Sequence, residues 1–396
     1  MVARATGRRD REIRKAMTLR EFFPPLAAKR LTGLDGLRGL AALFIFNTHF
    51  LAQFADVSYF LTPGSPSFRL TAVIHSGLIG VDAFFMLSGL LTYLSLAAKN
   101  PAPGAFILAR YRRLLPVILA VSVPALCFGA GSVDPRQLID NIFFLKLFRE
   151  TTYVNHVAWA LTYEMYFYLL CLVWFLLPQK AGLPMPGKAA FTVLALVFLA
   201  NVIFFKRLGP LCDVRFLGFF YGVGLGMFLR SRTFERLRAR AGRLPRLWPV
   251  FLAMILCCGF LWSYPPTQRI IFTEFWGNFA FYCLLDPAYA GLILCLALGE
   301  DAAGGRTVFS SLPMRLLGVV SYSLFMTHAQ WGIPLGRTLI PGGVSSFAGL
   351  CAAYAASLAV SLAIAVFLFY FVERAYFARS KTPVRPAVPQ GAENAA

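Results

Sequence analysis

The sequence has few charged residues and no cysteine pattern typical of a metal site. Asp, Glu, Lys and Arg make up 14% of the 396 residues, against about 25% in an ordinary soluble domain. The eight cysteines include no Cys-x-x-Cys pair, and the four histidines do not lie at metal-ligand spacing near them. These absences argue against a disulfide scaffold and a zinc-binding module. We therefore expect no metal cofactor.

Apolar residues dominate the chain instead. Ala, Val, Ile, Leu, Met, Phe, Trp, Tyr and Cys make up 58% of it, and Phe alone accounts for 39 residues. Long apolar runs recur from residue 39 to residue 371, and a soluble protein of this size could not keep so much apolar surface out of water. The pattern predicts an all-α, polytopic membrane protein. It excludes a disordered chain, a collagen and a cytosolic enzyme.

Ten apolar runs are counted as membrane-crossing helices, several of them near the short end of the ~17–25 residues that a crossing needs. They cover residues 39–56, 77–97, 114–131, 158–178, 189–205, 214–229, 247–264, 276–298, 316–335 and 346–371. The run at 138–148 is too short to cross and predicts an interfacial or re-entrant piece. The expected fold is a bundle of about ten transmembrane helices.

Positive charge predicts which side of the membrane the chain ends occupy. The net charge is +20, and in a soluble domain this balance would suggest a nucleic-acid partner. Here the basic residues cluster beside apolar runs, so the expected partner is the lipid bilayer and not nucleic acid. An N-terminus inside the cell places 29 of the 38 Lys and Arg residues in cytoplasmic segments. Both termini are therefore expected in the cytoplasm.

The chain divides into three predicted parts. A basic N-terminal segment, 1–33, precedes a membrane-embedded domain, 34–376, and a disordered tail follows at 377–396. The N-terminal segment lacks the early apolar stretch of a signal peptide. It is either a mildly amphipathic segment on the membrane surface or a solvated tail.

Ionisable residues within an apolar span are costly, which makes them candidates for function. His49 lies ~10 residues into the first span, near the predicted middle of the bilayer. Arg38 lies on the same helical face, since eleven residues turn a helix ~20° past three full turns and separate the two by ~16 Å. Asp35 is placed to pair with Arg38. The alternative is a His49 that is hydrogen-bonded inside the bundle for packing alone.

Two further spans carry candidate side chains. Glu164 lies about two turns into the fourth span, where a carboxylate must be paired, protonated or in contact with water. It could orient a histidine, bind a sugar hydroxyl or form a structural salt bridge. His328 lies in the ninth span, with Tyr322 and Ser323 one to two turns before it. This histidine is either a second catalytic or substrate-binding group or a structural one.

Arginines stand at the cytoplasmic mouth of the third span. Arg110, Arg112 and Arg113 suit an anionic cytosolic ligand, because arginine binds phosphate in a bidentate manner. The alternative is the ordinary excess of positive charge on the inside. Asp82 fits a helix cap or a pairing within the bundle. The remaining histidines, at 75 and 156, fall in predicted outer loops, where no special role is expected.

Six stretches together resemble the acyltransferase-3 family of polytopic membrane acyltransferases. They are DGLRG with Arg38 and His49 in the family's Arg-x10-His arrangement, GVDAFFMLSGLL at 80–91, Arg110-x-x-Arg113-x-x-Pro116, Trp159-x-Leu-x-x-Glu164, SYSLFMTH at 321–328, and Glu373-Arg374. The resemblance covers most of the chain, from about Leu34 to Glu373. Thr327 and Met165 depart from it, since many members have Trp and Glu there.

This resemblance implies an O-acyltransferase of the bacterial inner membrane. It would move an acyl group, in the first place acetyl, from cytoplasmic acyl-CoA to a hydroxyl of a carbohydrate or a lipid-linked glycan, or of a small natural product. His49 would be the general base or acyl carrier, Glu164 a second catalytic group, and Arg38 and the third-span arginines the CoA-binding residues. The SGNH-type esterase domain that some members carry is not seen, so a separate periplasmic partner is expected if the acyl group must be relayed.

The residues alone leave open two interpretations in which the protein is not an enzyme. In a transporter, His49, Glu164 and Asp286 would line a substrate path, and Pro287 would break the eighth span as in known carriers. No inverted repeat between the two halves of the sequence supports this reading. A membrane scaffold without chemistry would leave the ionisable residues in the spans unexplained.

Overall fold

The computed structural model describes residues 23, 31–53, 75–99, 101–128, 134–147, 152–182, 187–205, 213–300, 307–340 and 346–379. Helices account for all regular secondary structure in these ranges. They are α1 (Thr32–Gln53), α2 (Gly80–Lys99), α3 (Pro103–Phe128), α4 (Pro135–Ile142), α5 (Trp159–Cys171), α6 (Lys188–Ala200), α7 (Leu217–Leu229), α8 (Arg232–Ala239), α9 (Trp248–Ser263), α10 (Pro265–Thr273), α11 (Phe275–Gly299), α12 (Leu312–Thr327) and α13 (Phe347–Leu368).

Four of these helices continue through a π-helical turn. The turns are Leu172–Leu176 after α5, Asn201–Phe205 after α6, His328–Gly332 after α12 and Phe369–Glu373 after α13. Short α-helical pieces follow three of them, at Leu177–Lys180, Ile333–Thr338 and Arg374–Arg379. Such turns are often found at functional sites, and the turn after α12 begins at a candidate residue, His328.

Within the described ranges, five helical stretches have the length and apolar composition to cross a membrane. They are Gly80–Lys99, His156–Lys180, Leu244–Ser263, Phe275–Gly299 and Phe347–Phe377. The prediction of an all-helical, multi-pass membrane bundle is therefore confirmed. Each of the ten predicted spans coincides with a helix, while the number of crossings and the cytoplasmic location of the termini stay predictions. Most of segment 1–33 and residues 380–396 of the tail lie outside the described residues.

The break predicted in the eighth span is wrong. Helix α11 runs without interruption from Phe275 to Gly299 and includes Pro287. Proline removes one backbone donor, but helices in a membrane bundle tolerate this loss where neighbouring helices support them. At 138–148 the chain forms α4 and the turn Leu145–Leu147, so this run contains no long helix; whether it lies at an interface stays a prediction.

Aromatic packing builds the largest part of the core, between α2, α5 and α7. The ring of Phe219 is stacked on Phe85 on one side and on Phe167 on the other, with ring centroids 4.5 Å apart in each case. All three side chains are buried. Aromatic pairs of this geometry add to the contribution of buried area alone. The many phenylalanines of the sequence thus fix how these three helices pack.

Close backbone contact fixes α1 against α12. A Cβ atom on Gly318 would lie 1.8 Å from the carbonyl oxygen of Asp35, and one on Gly36 would lie 1.9 Å from that of Phe309, in the 3₁₀ turn Val308–Ser310 that precedes α12. Glycine at both positions lets the two backbones touch, as small residues do between membrane helices. The contact explains the glycines of the DGLRG stretch. It also fixes the relative position of the two helices, so that the C-terminal part of α1 lies beside the C-terminal end of α12.

We expect Gly318→Ala to destabilise the fold, because the added methyl group must push α1 and α12 apart. Overpacking of this kind costs about 1–3 kcal/mol or more, and the melting temperature of the detergent-solubilised protein should fall. The matched control is Gly104→Ala in α3, where a Cβ atom would meet nothing within 4 Å. Equal melting temperatures for the two variants would contradict the contact.

Candidate active site

Two of the predicted site residues form a hydrogen-bonded pair. His49 lies on the last turns of α1, four residues before Gln53, and His328 begins the π-turn after α12. Nε2 of His328 lies 3.0 Å from Nδ1 of His49, although 279 residues separate them in the sequence. His328 is 1% exposed, whereas His49 is partly exposed. Packing of α1 on α12 therefore joins two residues that the sequence offered only as separate candidates.

The hydrogen bonds of this pair assign the tautomer of each ring. Nδ1 of His49 lies 3.0 Å from the carbonyl oxygen of Ile45, and Nδ1 of His328 lies 3.0 Å from that of Leu324. A carbonyl oxygen can only accept, so each Nδ1 carries a proton. Nε2 of His328 must then accept from Nδ1 of His49, so the one N–H of that nitrogen is shared between His328 and the carbonyl of Ile45 in a bifurcated hydrogen bond. Nε2 of His49 retains its lone pair, and in the described part of the chain no hydrogen bond occupies it.

A third imidazole lies beside the pair, at a position for which the sequence predicted no special role. The ring centroid of His156 is 5.3 Å from that of His49, and His156 is exposed. Asn155 fixes its turn, since the side chain of Asn155 accepts from the backbone N–H of Val157 and donates to the carbonyl of Met326 at 2.7 Å. The only hint in the sequence was its position three residues before Trp159.

Three neighbouring imidazoles raise the question of a metal ion. In the ranges that the structure describes, no group of three His, Cys, Asp or Glu side chains is placed to hold one. Both nitrogens of His328 are already engaged with protein groups, at Leu324 and at His49. The geometry therefore fits acid–base chemistry better than metal coordination.

A cavity opens between α1, α2, α3, α5 and α12. It brings together five of the residues singled out in the sequence, namely Arg38, Arg110, Arg113, Glu164 and Tyr322. Three positive charges and one carboxylate in a partly apolar cavity suit a ligand with an anionic part. Arg112 is exposed and is not among the lining residues, so the arginines of the third span fall into two groups.

Glu164 is held at the wall of this cavity. Its Oε1 accepts a hydrogen bond from Ser88 at 2.9 Å and another from the hydroxyl of Tyr168. The guanidinium carbon of Arg110 lies 4.6 Å from the ring centroid of Tyr168, which places a positive charge against the same group. His328, and not Glu164, makes the contact that orients His49. Glu164 instead lines the cavity.

Arg113 lies between two carboxylates. Its electrostatic partners include Glu164 and Glu373, and Glu373 accepts a hydrogen bond from Ser323. Ser323 therefore supports Glu373 from outside the cavity. The buried Nε of Arg113 has no hydrogen-bond partner in the described part of the chain, although a buried donor normally has one. A bound anion would supply it.

The candidate aspartates lie outside the cavity. Asp35 is buried in the first turn of α1. Asp82, in the first turn of α2, is 1% exposed and interacts electrostatically with Arg215. Asp286, also 1% exposed, is not a lining residue either. A common path for Glu164 and Asp286, which a transporter would need, is thus not formed by the described residues.

Comparison with known proteins identifies the family of this chain. The sequence model of the acyltransferase domain matches residues 31–366. The chain belongs to the acyltransferase-3 family. The predicted resemblance is thereby confirmed, and the chain is an enzyme that transfers acyl groups. The transporter and scaffold readings are set aside.

Several members of this acyltransferase family are similar along much of the chain. Acyltransferase MdmB of Streptomyces mycarofaciens is 26% identical over 87% of this chain and 89% of its own length. Exopolysaccharide production protein ExoZ of Rhizobium meliloti is 25% identical over 64% of this chain and 75% of its own. Peptidoglycan O-acetyltransferase OatA of Listeria monocytogenes is 24% identical over 76% of this chain but 49% of its own. No solved structure matches the chain.

The assigned tautomers make a chemical prediction for the acyltransferase. Diethyl pyrocarbonate modifies unprotonated imidazole nitrogens, so it should react with exposed His156 and partly exposed His49 well before His328, whose nitrogens are both engaged. Peptide mass spectrometry during a time course of labelling measures this order. The denatured protein is the control, in which all three should react alike. Labelling of His328 as fast as His156 in the folded protein would refute the arrangement.

Proposed function

We propose that this acyltransferase moves an acyl group from acyl-CoA to a hydroxyl of a carbohydrate acceptor, with His49 as the reacting base. The observation that carries the proposal is the unshared lone pair on Nε2 of His49, whose ring is fixed by Ile45 and His328 through Nδ1. A neutral imidazole with one nitrogen anchored and the other free is suited to general base catalysis near neutral pH.

The cavity supports acyl-CoA as the donor. Arg38, Arg110 and Arg113 line it, and arginine pairs with phosphate through charge-assisted, bidentate hydrogen bonds. The pantetheine arm of CoA separates its phosphates from its thioester, so phosphates held at these arginines leave the thioester free to reach towards the histidine pair. In this proposal the arginine end of the cavity faces the cytoplasm of a bacterium, and the enzyme lies in the inner membrane.

In the direct route, Nε2 of His49 takes the proton of the acceptor hydroxyl while its oxygen attacks the thioester carbonyl. The tetrahedral intermediate collapses by breaking the carbon–sulfur bond, and the thiolate of CoA recovers the proton from His49. General base catalysis of this kind contributes about 10²–10⁴-fold. During the step, Nε2 of His328 accepts from Nδ1 of His49 and keeps the imidazolium in place.

An acyl-histidine route uses the same geometry. Nε2 of His49 attacks the thioester, and CoA leaves as the thiolate. The acceptor hydroxyl then attacks the acyl-imidazolium and loses its proton, which the CoA thiolate takes up. In both routes the carboxylate of Glu164 is available to accept a hydrogen bond from a sugar hydroxyl. The similarity to ExoZ, an exopolysaccharide production protein, and to OatA, a peptidoglycan O-acetyltransferase, supports a carbohydrate or lipid-linked glycan acceptor.

His49→Ala should abolish acyl transfer while binding of acetyl-CoA persists. The expected loss is about 10²–10⁴-fold, measured as acetyl-CoA consumption by protein in nanodiscs. His75→Ala is the matched control: burial lowers the pKa of His75, so its ring is also neutral at pH 7, but Nδ1 of this ring lies next to Ser263 and not next to His328. Transfer by His49→Ala at a near wild-type rate would rule out the mechanism.

The two routes differ in what accumulates without acceptor. Under the acyl-histidine route, wild-type protein mixed with labelled acetyl-CoA should carry label on the peptide that contains His49. Under the direct route this peptide should stay unlabelled while acetyl-CoA is bound. Rapid denaturation followed by mass spectrometry distinguishes them.

Arg113→Gln should weaken the binding of CoA by about 10–100-fold, since charged hydrogen bonds contribute about 1.5–3 kcal/mol. The neighbouring Arg112→Gln removes the same charge from an exposed side chain outside the cavity and should change binding by no more than about twofold. Titration of both variants with CoA by calorimetry provides the comparison. Equal losses for the two would assign the effect to overall charge and not to the cavity.

A further inference from the structure

Aromatic contacts connect the cavity to the histidine pair. The guanidinium carbon of Arg38 lies 5.9 Å from the ring centroid of Phe84, and the ring of Phe84 lies 6.1 Å from that of Phe325. The ring of Phe325 lies in turn 6.2 Å from that of His328, which is hydrogen-bonded to His49. The two phenylalanines thus stand between the arginine that would hold the donor and the base that would act on it.

The same two rings close one end of the cavity. Phe84 and Phe325 are lining residues, whereas His49 and His328 are not. Behind His328, the fully buried ring of Phe46 lies 6.3 Å from the imidazole. The space next to the histidine pair is therefore bounded by aromatic rings.

Neighbouring Phe85 shows what a purely structural phenylalanine does here. It also lines the cavity, but its ring is stacked on Phe219 at 4.5 Å and on Tyr163 at 5.8 Å, so it belongs to the core of the bundle. Phe84 instead contacts the guanidinium of Arg38, and Phe325 contacts the imidazole of His328. Their contacts with Arg38 and with His328 distinguish these two rings from that of Phe85.

We propose that Phe84 and Phe325 determine which acyl groups the enzyme accepts, by limiting the donor to a short acyl chain of the acetyl class. The inference rests on the proposed function, because it takes a thioester held at Arg38 to react at His49. The carbon chain beyond the reacting carbonyl must then lie beside these two rings. Each methylene beyond acetyl has to displace a ring, and a single methylene in such a site changes selectivity by about 10–200-fold.

Phe325→Ala and Phe84→Ala test this directly with acetyl-, butyryl- and hexanoyl-CoA as donors. Wild type should prefer acetyl-CoA to hexanoyl-CoA by at least about tenfold. Phe325→Ala should reduce this preference at least about tenfold and raise the turnover of hexanoyl-CoA above that of wild type. Phe325→Leu and Phe84→Leu, which remove less volume, serve if an alanine variant does not give a monodisperse protein. Phe367→Ala, on the exposed face of α13, is the matched control and should keep the wild-type preference.

Two results would overturn the inference and leave the proposed function standing. One is a wild-type enzyme that uses hexanoyl-CoA as well as acetyl-CoA. The other is a set of folded variants with wild-type selectivity and undiminished acetyl-CoA turnover. Failure of the proposed function looks different, since wild type and all variants would then neither bind CoA nor consume any acyl-CoA, and both ideas would fall together.

Discussion

Direct backbone contact between α1 and α12 is the constraint on which the site depends. Gly36 and Gly318 allow it, since a side chain at either position would collide with a carbonyl of the other segment. Because the two backbones touch, the relative position of the helices is fixed as far as the C-terminal end of each. There it brings Nδ1 of His49 to Nε2 of His328. This hydrogen bond is thus a consequence of the glycine contacts, which lie about three helical turns away.

The histidine pair shows how a bundle prepares an imidazole without a carboxylate partner. Each ring donates through Nδ1 to a carbonyl of its own helix, at Ile45 and at Leu324. These local bonds fix both tautomers, because a carbonyl has no proton to offer. In the bond between the rings, His49 is then the donor and His328 the acceptor, and the lone pair on Nε2 of His49 stays outside both bonds. Glu164, the carboxylate among the lining residues of the cavity, accepts from Ser88 and Tyr168 through Oε1 and not from a histidine.

Much of the fold could be predicted because hydropathy is a property of contiguous sequence. The helices coincide with the apolar runs, and the residues that interrupt those runs include most of the site. The prediction at Pro287 was wrong because a proline removes only one hydrogen bond, and whether the helix survives depends on its neighbours. The position of His156 beside His49 was not predicted for a related reason. A loop sequence does not show which helix end the loop will pack against.

By itself, the sequence determined the class of the protein and the types of residue available for its chemistry, since membrane-crossing segments and motif spacings are both readable along one stretch of chain. Tertiary structure decided which of those residues work together. It joined His49 to His328 across 279 residues, placed Arg113 in the cavity and Arg112 outside it, and set Phe84 and Phe325 between Arg38 and His328. These outcomes follow from the close approach of distant helices, a relation that no local pattern of hydrophobicity or charge contains.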